Sequence, residues 1–505
     1  VKLERRRRSE SPLRNHRPGW SRLRTVAALG AVVSLLASAC GGDTIKGQAT
    51  SPLTDAFRVG GLPVEDGPSG VRDDAPEPTG EVENSDGGEI DRIALLSIND
   101  IVEFWQQYYG PPLEGEFEPV EPVHSYDSED PSSPRLCGTP TYDFVNAFYC
   151  FSDKIIAWDR GVLLPTGQKF FGDMSIPGVL AHEYGHAVQR EGGLVDRSTP
   201  TLVSEQQADC FAGAYMRWVA QGDSPRFDLN TAEGLNLVLA AAISLRDPTL
   251  GPDDTEYIEG GHGTAFERVS AFQMGFVSGT LACAGINMDE IEERRGDLPK
   301  ALDYDENSGD VQTGELEITE QSVSDLLNSL NAAFKPEQEP TVSFEAAGCS
   351  EKDIAGPVSY CPDDNTIGIE LPELAKMGVP ADRKDNALIQ GDNTAYSLVM
   401  SRYALALQKE KGLTLDSAAA ALRTACVTGA AHRRLATPAD SLQSDSAAGV
   451  LLTAGDLDEA VAGLLVNGIA ASDVNGETVP AGFARIDAFR TGVINDDEAC
   501  YERYP

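Results

Sequence analysis

Leu180-Ala-His-Glu-Tyr-Gly-His-Ala-Val-Gln189 holds two histidines four residues apart inside a stretch that reads as helix. Residues four apart share a helix face, so His182 and His186 turn both imidazoles toward one point, as a zinc site requires. Glu183 stands beside the open coordination position. There it takes a proton from water acidified by the metal and passes it to the leaving amine of a cleaved peptide. A catalytic zinc of this kind wants a third protein ligand. Downstream, Ser204-Glu-Gln-Gln-Ala-Asp209-Cys210 sets two carboxylates four apart. Glu205 is the expected third ligand, and Asp209, one turn further, is placed to accept the free ring N–H of a liganding histidine. A third histidine six residues past His186 would make a different motif, but Gly192 stands there. The expected cofactor is one Zn2+ per chain.

Asn146-Ala-Phe-Tyr-Cys150, the HEYGHAVQ segment, EQQADCFAG and His262-Gly-Thr264 with Arg268 follow one another along the chain. In that order they resemble the bacterial putative neutral zinc metallopeptidases, over roughly residues 97 to 285. The resemblance implies His182, His186 and Glu205 as metal ligands and a zincin-like fold, α+β and mainly helical. It implies peptidase chemistry without defining a substrate beyond a peptide or protein.

A basic stretch including Arg5 to Arg8, Arg22 and Arg24 precedes an apolar run from Val26 to Ala37, the pattern of a signal peptide. Ala37-Ser-Ala-Cys40 before Gly41-Gly42 looks like a bacterial lipobox, so residues 1–39 are the expected lipoprotein signal and Cys40 the lipid anchor. An ordinary secretory signal or a short uncleaved anchor would read similarly. Each carries the bulk of the chain out of the cytoplasm, and the lipobox reading puts it on the outer face of the cytoplasmic membrane. Residues 40–93, rich in Gly, Pro, Asp and Glu, read as a disordered acidic tether. The net charge of −40 falls to −47 without residues 1–39, which carry nine basic and two acidic side chains. That balance disfavours nucleic acid as a partner and polybasic adhesion to lipid, leaving Cys40 as the membrane connection.

Setting Cys40 aside leaves eight cysteines, an even number suited to an oxidising compartment. Cys137, Cys150, Cys210 and Cys283 are spaced 13, 60 and 73 apart; Cys349, Cys361, Cys426 and Cys500 are spaced 12, 65 and 74 apart. The chain reads as two copies of one module: a metallopeptidase domain at 94–285, an acidic linker at 286–317 and a degenerate copy at 318–505. His182-Glu-Tyr-Gly-His-Ala-Val-Gln-Arg-Glu191 aligns with Ser401-Arg-Tyr-Ala-Leu-Ala-Leu-Gln-Lys-Glu410, and Phe266-Glu-Arg-Val-Ser-Ala-Phe272 with Phe483-Ala-Arg-Ile-Asp-Ala-Phe489. Ser401, Arg402 and Leu405 replace the histidines and glutamate, while Ala421 and Ala425 stand where Glu205 and Asp209 would be. The second copy is expected to hold no zinc. Equivalent cysteines should pair equivalently: Cys137 with Cys150, Cys349 with Cys361, Cys210 with Cys283 and Cys426 with Cys500.

The alignment also separates roles. Arg268 keeps a counterpart, Arg485, where no metal is expected, which favours a structural salt bridge. His262 meets Val479, so it is the residue expected to hydrogen-bond the oxyanion of the reaction, set against a purely local role. Helices are expected over Ile98–Tyr109, Gly172–Glu191, Thr201–Val219 and Leu235–Leu245, with another from Thr264 carrying a capping box with Glu267. Strands are expected over Lys154–Trp158 and Asn365–Ile369, the first as an edge strand that aligns substrate or as an ordinary sheet strand. Two functions follow. One is a lipid-anchored zinc peptidase with Glu183 as base; the alternative is a catalytically silent cell-envelope binding or scaffold protein built from paired modules.

Overall fold

A computed structural model describes residues 54–505 apart from 255–256, 297, 305–307, 346–348, 350–355, 382–387 and 437–451. The expected signal peptide, Cys40 and the first part of the tether lie outside the described residues. From Thr50 onward the chain forms one compact unit.

The first half starts earlier than its apolar periodicity indicates. Residues 54–88, read above as tether, lie against the domain: Val59 is fully buried, Gly70–Val71 pairs with Phe227–Asp228, and Glu65 N–H donates to Thr231 Oγ1. The segment has too few apolar residues for a core of its own, and borrowed hydrogen bonds hold it instead. A strand β1 (Val82–Glu83) leads into helix α1 (Glu89–Tyr108), nine residues ahead of the expected start. Its first turn is held by one buried polar residue, Asp91, which accepts from Trp158 Nε1 at 2.8 Å and Ser85 Oγ at 2.7 Å. Periodicity does not register such a turn.

Strands β2 (Val123–Tyr126), β3 (Ala147–Cys150) and β4 (Ile155–Asp159) complete a sheet ordered β1-β2-β4-β3. β4 pairs parallel with β2 and antiparallel with β3. Of the two roles expected for Lys154–Trp158 the structure has the ordinary sheet strand: β4 is central, and β3 is the edge. All five residues of β4 are buried, and its apolar run Ile155-Ile-Ala-Trp158 suits a strand covered on both faces.

The main helices that follow are α2 (Leu163–Phe171), α3 (Ser175–Glu191), α4 (Thr201–Ala220), α5 (Glu233–Ser244) and α6 (Ala265–Ser278), with short helical turns at Tyr257–Gly260 and Thr280–Cys283. The helix expected from Gly172 is interrupted there, where Gly172 caps α2 and Ser175 Oγ bonds back to its carbonyl. α3 stops at Gly192-Gly193, whose second glycine takes the left-handed φ of +72°. α6 opens on the expected capping box of Thr264 and Glu267. Helix α7 (Met288–Arg295) lies in what was read as linker. Its two arginines dock it on the first half, Arg294 on Gln206 and Arg295 on Glu267.

The second half has a similar order of elements around a three-stranded sheet. It runs α8 (Glu320–Phe334), β5 (Thr341–Ser343), β6 (Val358–Cys361), β7 (Thr366–Ile369) and α9 (Leu371–Met377). α10 (Asp392–Glu410), α11 (Ala418–Leu435), α12 (Asp456–Val466), α13 (Gly482–Ile494) and α14 (Asp497–Arg503) follow. β7 lies between a parallel β5 and an antiparallel β6, the arrangement of β4 between β2 and β3. Disulfides join Cys137–Cys150, Cys210–Cys283, Cys349–Cys361 and Cys426–Cys500.

Glycines set the helix crossings in both halves. A Cβ on Gly213 of α4 would lie 2.0 Å from Phe272 O of α6, and one on Gly429 of α11 would lie 2.0 Å from Phe489 O of α13. Gly275 and Gly492 answer from the other side against Cys210 O and Cys426 O. The halves share one core and meet through α5, α6, α12 and α13. Gln273 Nε2 donates to Phe483 O, Gly482 N–H to Asn236 Oδ1 and Phe266 N–H to Asp458 Oδ1, at 2.9, 3.0 and 3.1 Å.

Candidate metal centre

Helix α3 presents His182 and His186 to the neighbouring α4. The two helices approach closely because Gly185, within the motif, has no side chain: a Cβ there would lie 3.0 Å from Ala208 Cα. Glu205 of α4 then comes between the imidazoles, with Oε2 3.1 Å from His182 Nε2 and Oε1 3.4 Å from His186 Nε2. One ligand atom from each of the three lies within 4.8 Å of the others.

Behind them, Asp209 Oδ1 sits 2.8 Å from His182 Nδ1, leaving Nε2 turned toward the shared point. The same oxygen accepts from Arg268 Nη2 at 2.7 Å, and Arg268 Nη1 donates to Leu245 O at 2.8 Å. Arg268 thus makes a buried salt bridge to the carboxylate that orients His182. In the second half Arg485 donates to Leu465 O at 3.1 Å, while Ala425 stands at the position aligned with Asp209.

The electrostatics favour a cation. Burial would push His182 down, but Asp209 and Glu205 carry it up to about 10. Burial would raise Glu205, yet His186 and His182 hold it well below the ordinary carboxylate range. Burial opposes Asp209 likewise, and Arg268 and His182 lower it. Two imidazole nitrogens and one carboxylate oxygen on adjacent helices, backed by a carboxylate on the remote ring nitrogen, form the donor set zinc takes. The residues present fit that ion.

Glu183 projects toward the sheet. Its Oε2 accepts from the backbone N–H of Tyr149 on the edge strand β3 at 3.0 Å. Burial raises its carboxyl above the usual value, against the opposing pull of His182 and His186. The Cys137–Cys150 disulfide closes the end of that strand, and Cys210–Cys283 ties α4 to the segment after α6. At the aligned position of the second half, Arg402 is fully buried and donates to Val358 O of β6 and to Ser472 Oγ.

His262, in the loop before α6, is exposed and faces the same point, with Nε2 3.9 Å from Glu205 Oε2. It is held by Asp247, whose Oδ1 lies 3.2 Å from Nδ1 and whose Oδ2 accepts from Gly263 N–H at 2.8 Å. That hydrogen bond to Asp247 raises the imidazole above its ordinary value. Asp247 is a residue the sequence reading missed, as is the Tyr149 amide. A cleft of about 550 Å3 runs past His182, Glu183, His186, Glu205 and His262, walled by Ala147 to Tyr149 of β3 on one side and by Val195 and Leu245 on others.

Residues 98–286 match the profile of a family described as Putative neutral zinc metallopeptidase. Uncharacterized proteins of Mycobacterium bovis and of two strains of Mycobacterium tuberculosis are each 30% identical to this chain over 164 residues. The match covers 28% of this chain and 55% of each relative, so the chain spans about half the length of the curated relatives it matches. No solved structure gives a significant match.

Proposed function

We propose that the chain is an extracytoplasmic, lipid-anchored zinc peptidase whose second half is a degenerate copy of the first. The observation that carries this reading is the convergence of His182, His186 and Glu205 within 4.8 Å, with Asp209 on the remote nitrogen of His182. Zinc held there supplies Lewis acidity, polarising a scissile carbonyl and lowering the pKa of water.

The chain's own groups do the rest. Glu183 takes the proton of the attacking water on its carboxylate and delivers it to the leaving amine. Tyr149 N–H holds that carboxylate in place and, being on the edge strand, sets it beside the segment along which an extended peptide would lie. His262 Nε2 donates to the negative charge that develops on the carbonyl oxygen, and Asp247 on Nδ1 orients its ring. Arg268 acts through Asp209 and Leu245 rather than on substrate.

The matching element order, strand pairing, glycine crossings and disulfides of the two halves support a duplication. Ser401, Arg402, Leu405, Ala421 and Ala425 give the second half no ligand at the aligned positions. Export rests on the basic and apolar pattern of residues 2–37, on Ala37-Ser-Ala-Cys40, and on four disulfides suited to an oxidising compartment. Among the described residues no helix is long and apolar enough to cross a membrane.

Zinc analysis and peptide hydrolysis on the same preparation test the reading. One zinc per chain with hydrolysis abolished in Glu183→Gln is expected. Zinc without any hydrolysis across a broad peptide library favours the silent scaffold, as does no zinc after reloading, which sinks the peptidase.

A further inference from the structure

Three acidic side chains in the second half converge away from the zinc residues. Glu315 precedes α8, Asp392 is the first residue of α10, and Glu459 lies in the first turn of α12. One carboxylate oxygen of each lies within 4.8 Å of the other two. Asp392 and Glu459 are both 4% exposed, and Glu315 is the least buried.

The cluster is built. Asp392 N–H donates to Glu315 Oε2 at 3.1 Å, Leu316 N–H to Asp392 Oδ2 at 2.8 Å and Asn393 N–H to Glu459 Oε2 at 2.9 Å. Each carboxylate spends an oxygen on a neighbour's backbone and is fixed by it. Gly391 makes room, since a Cβ there would lie 2.1 Å from Glu459 Oε1. A fourth carboxylate, Asp456, lies beside them at the start of α12, with Oδ2 on Thr453 N–H at 2.7 Å.

These bonds leave Asp392 Oδ1 buried with no partner. A buried, unsatisfied carboxylate oxygen costs free energy, and among like charges it costs more. Burial, then Asp456, Glu315 and Asp392, push Glu459 up to about 9; burial above all raises Asp392 to about 6. Something positive belongs among these groups. The donors are oxygens alone, which suit a hard cation, and carboxylates from three separate segments match the irregular, high coordination of calcium better than the strict octahedron of magnesium.

We propose that Glu315, Asp392 and Glu459 hold a calcium ion that pins the starts of α10 and α12. The residue before Glu459 on α12 is Asp458, which accepts from Phe266 N–H and lies 3.5 Å from Arg246 of the first half. The ion therefore steadies the helix end on which the halves meet. The proposal does not depend on the zinc site being catalytic.

The test is calcium binding by the zinc-loaded full chain, followed by equilibrium dialysis and by melting. Wild type is expected to retain about one calcium per chain at millimolar free calcium and to melt higher with it than without. Asp392→Asn and Glu459→Gln are each expected to bind calcium about tenfold more weakly or worse, with zinc content unchanged. Both replace a carboxyl crowded by other carboxyls with a neutral isostere, so their melting without calcium should be no lower than that of wild type, which shows that they fold. Absence of bound calcium in wild type overturns the proposal. So does an equal calcium effect in wild type and both variants, or magnesium binding as tightly as calcium.

Discussion

Glu183 and Glu205 lie beside the same two imidazoles and are used differently because of what else they touch. Glu205 is drawn between the histidines, whereas Glu183 is tied to a strand amide 34 positions away. Glu183→Gln keeps that amide contact and all three ligands, so kcat is expected to fall by about 10²- to 10⁴-fold with zinc content unchanged. Asp209→Asn should act on the metal instead. Zinc affinity, measured by competition with a chromogenic chelator, is expected to weaken by about 10- to 100-fold. Leaving Arg268 buried without its charge partner should also cost about 3 kcal/mol of stability in urea unfolding. The two histidines were legible because spacing alone puts them on one face, and Glu205 with Asp209 because a second i, i+4 pair followed. Asp247 was not. It meets His262 only because the chain returns through a loop, and an aspartate between helices carries no periodic signal.

Helix positions were largely readable, and strand neighbours were not. β3 and β4 are separated by four residues, so either could have been the edge; the choice is made by parallel pairing of β4 with β2, about thirty residues away in sequence. The run Ile155-Ile-Ala-Trp158 did carry a cue, since a strand buried on both faces has no polar alternation. The polar first turn of α1 and the arginine-docked α7 hid for the opposite reason: hydrogen bonds and ion pairs, not apolar stripes, hold them down. Glycine crossings separate fold from chemistry experimentally. Gly213→Ala and Gly429→Ala meet the same obstacle, a carbonyl 2.0 Å from the new Cβ. Each is expected to lose about 1–3 kcal/mol or more in urea unfolding. Only Gly213→Ala, which moves α4, should also weaken zinc binding.

Across the whole molecule, the two sets of cysteines foretold the four disulfides, because their spacings of 13, 60 and 73 and of 12, 65 and 74 match closely enough to pair equivalent positions. The contact between the halves left none. Beyond the shared apolar core it is made by backbone groups of Phe266, Gly482 and Phe483 with Asp458, Asn236 and Gln273, and apolar patterning does not mark such partners. The second half should also set part of the acid limit of the fold. His432 is fully buried among Asn393, Ser397, Thr428 and Phe489, and burial pushes it down to about 4. Unfolded, it titrates near the ordinary value of 6.5, so between those values the unfolded chain binds the extra proton and stability is lost as pH falls. From pH 7 to pH 4, wild type is expected to lose about 3 kcal/mol more than His432→Gln in urea unfolding.

The meeting of α5 and α6 with α12 and α13 joins two faces of a single polypeptide. Two subunits that met through such faces would separate on dilution, and each would carry its own copy of whatever sequence the gene specified. Covalent continuity removes both constraints. The partner is always present at a high effective concentration, so the support it lends cannot be diluted away. The two faces are also free to differ in sequence, so an asymmetric pair, with the metal-ligand residues in one half, exists without any device for sorting unlike subunits.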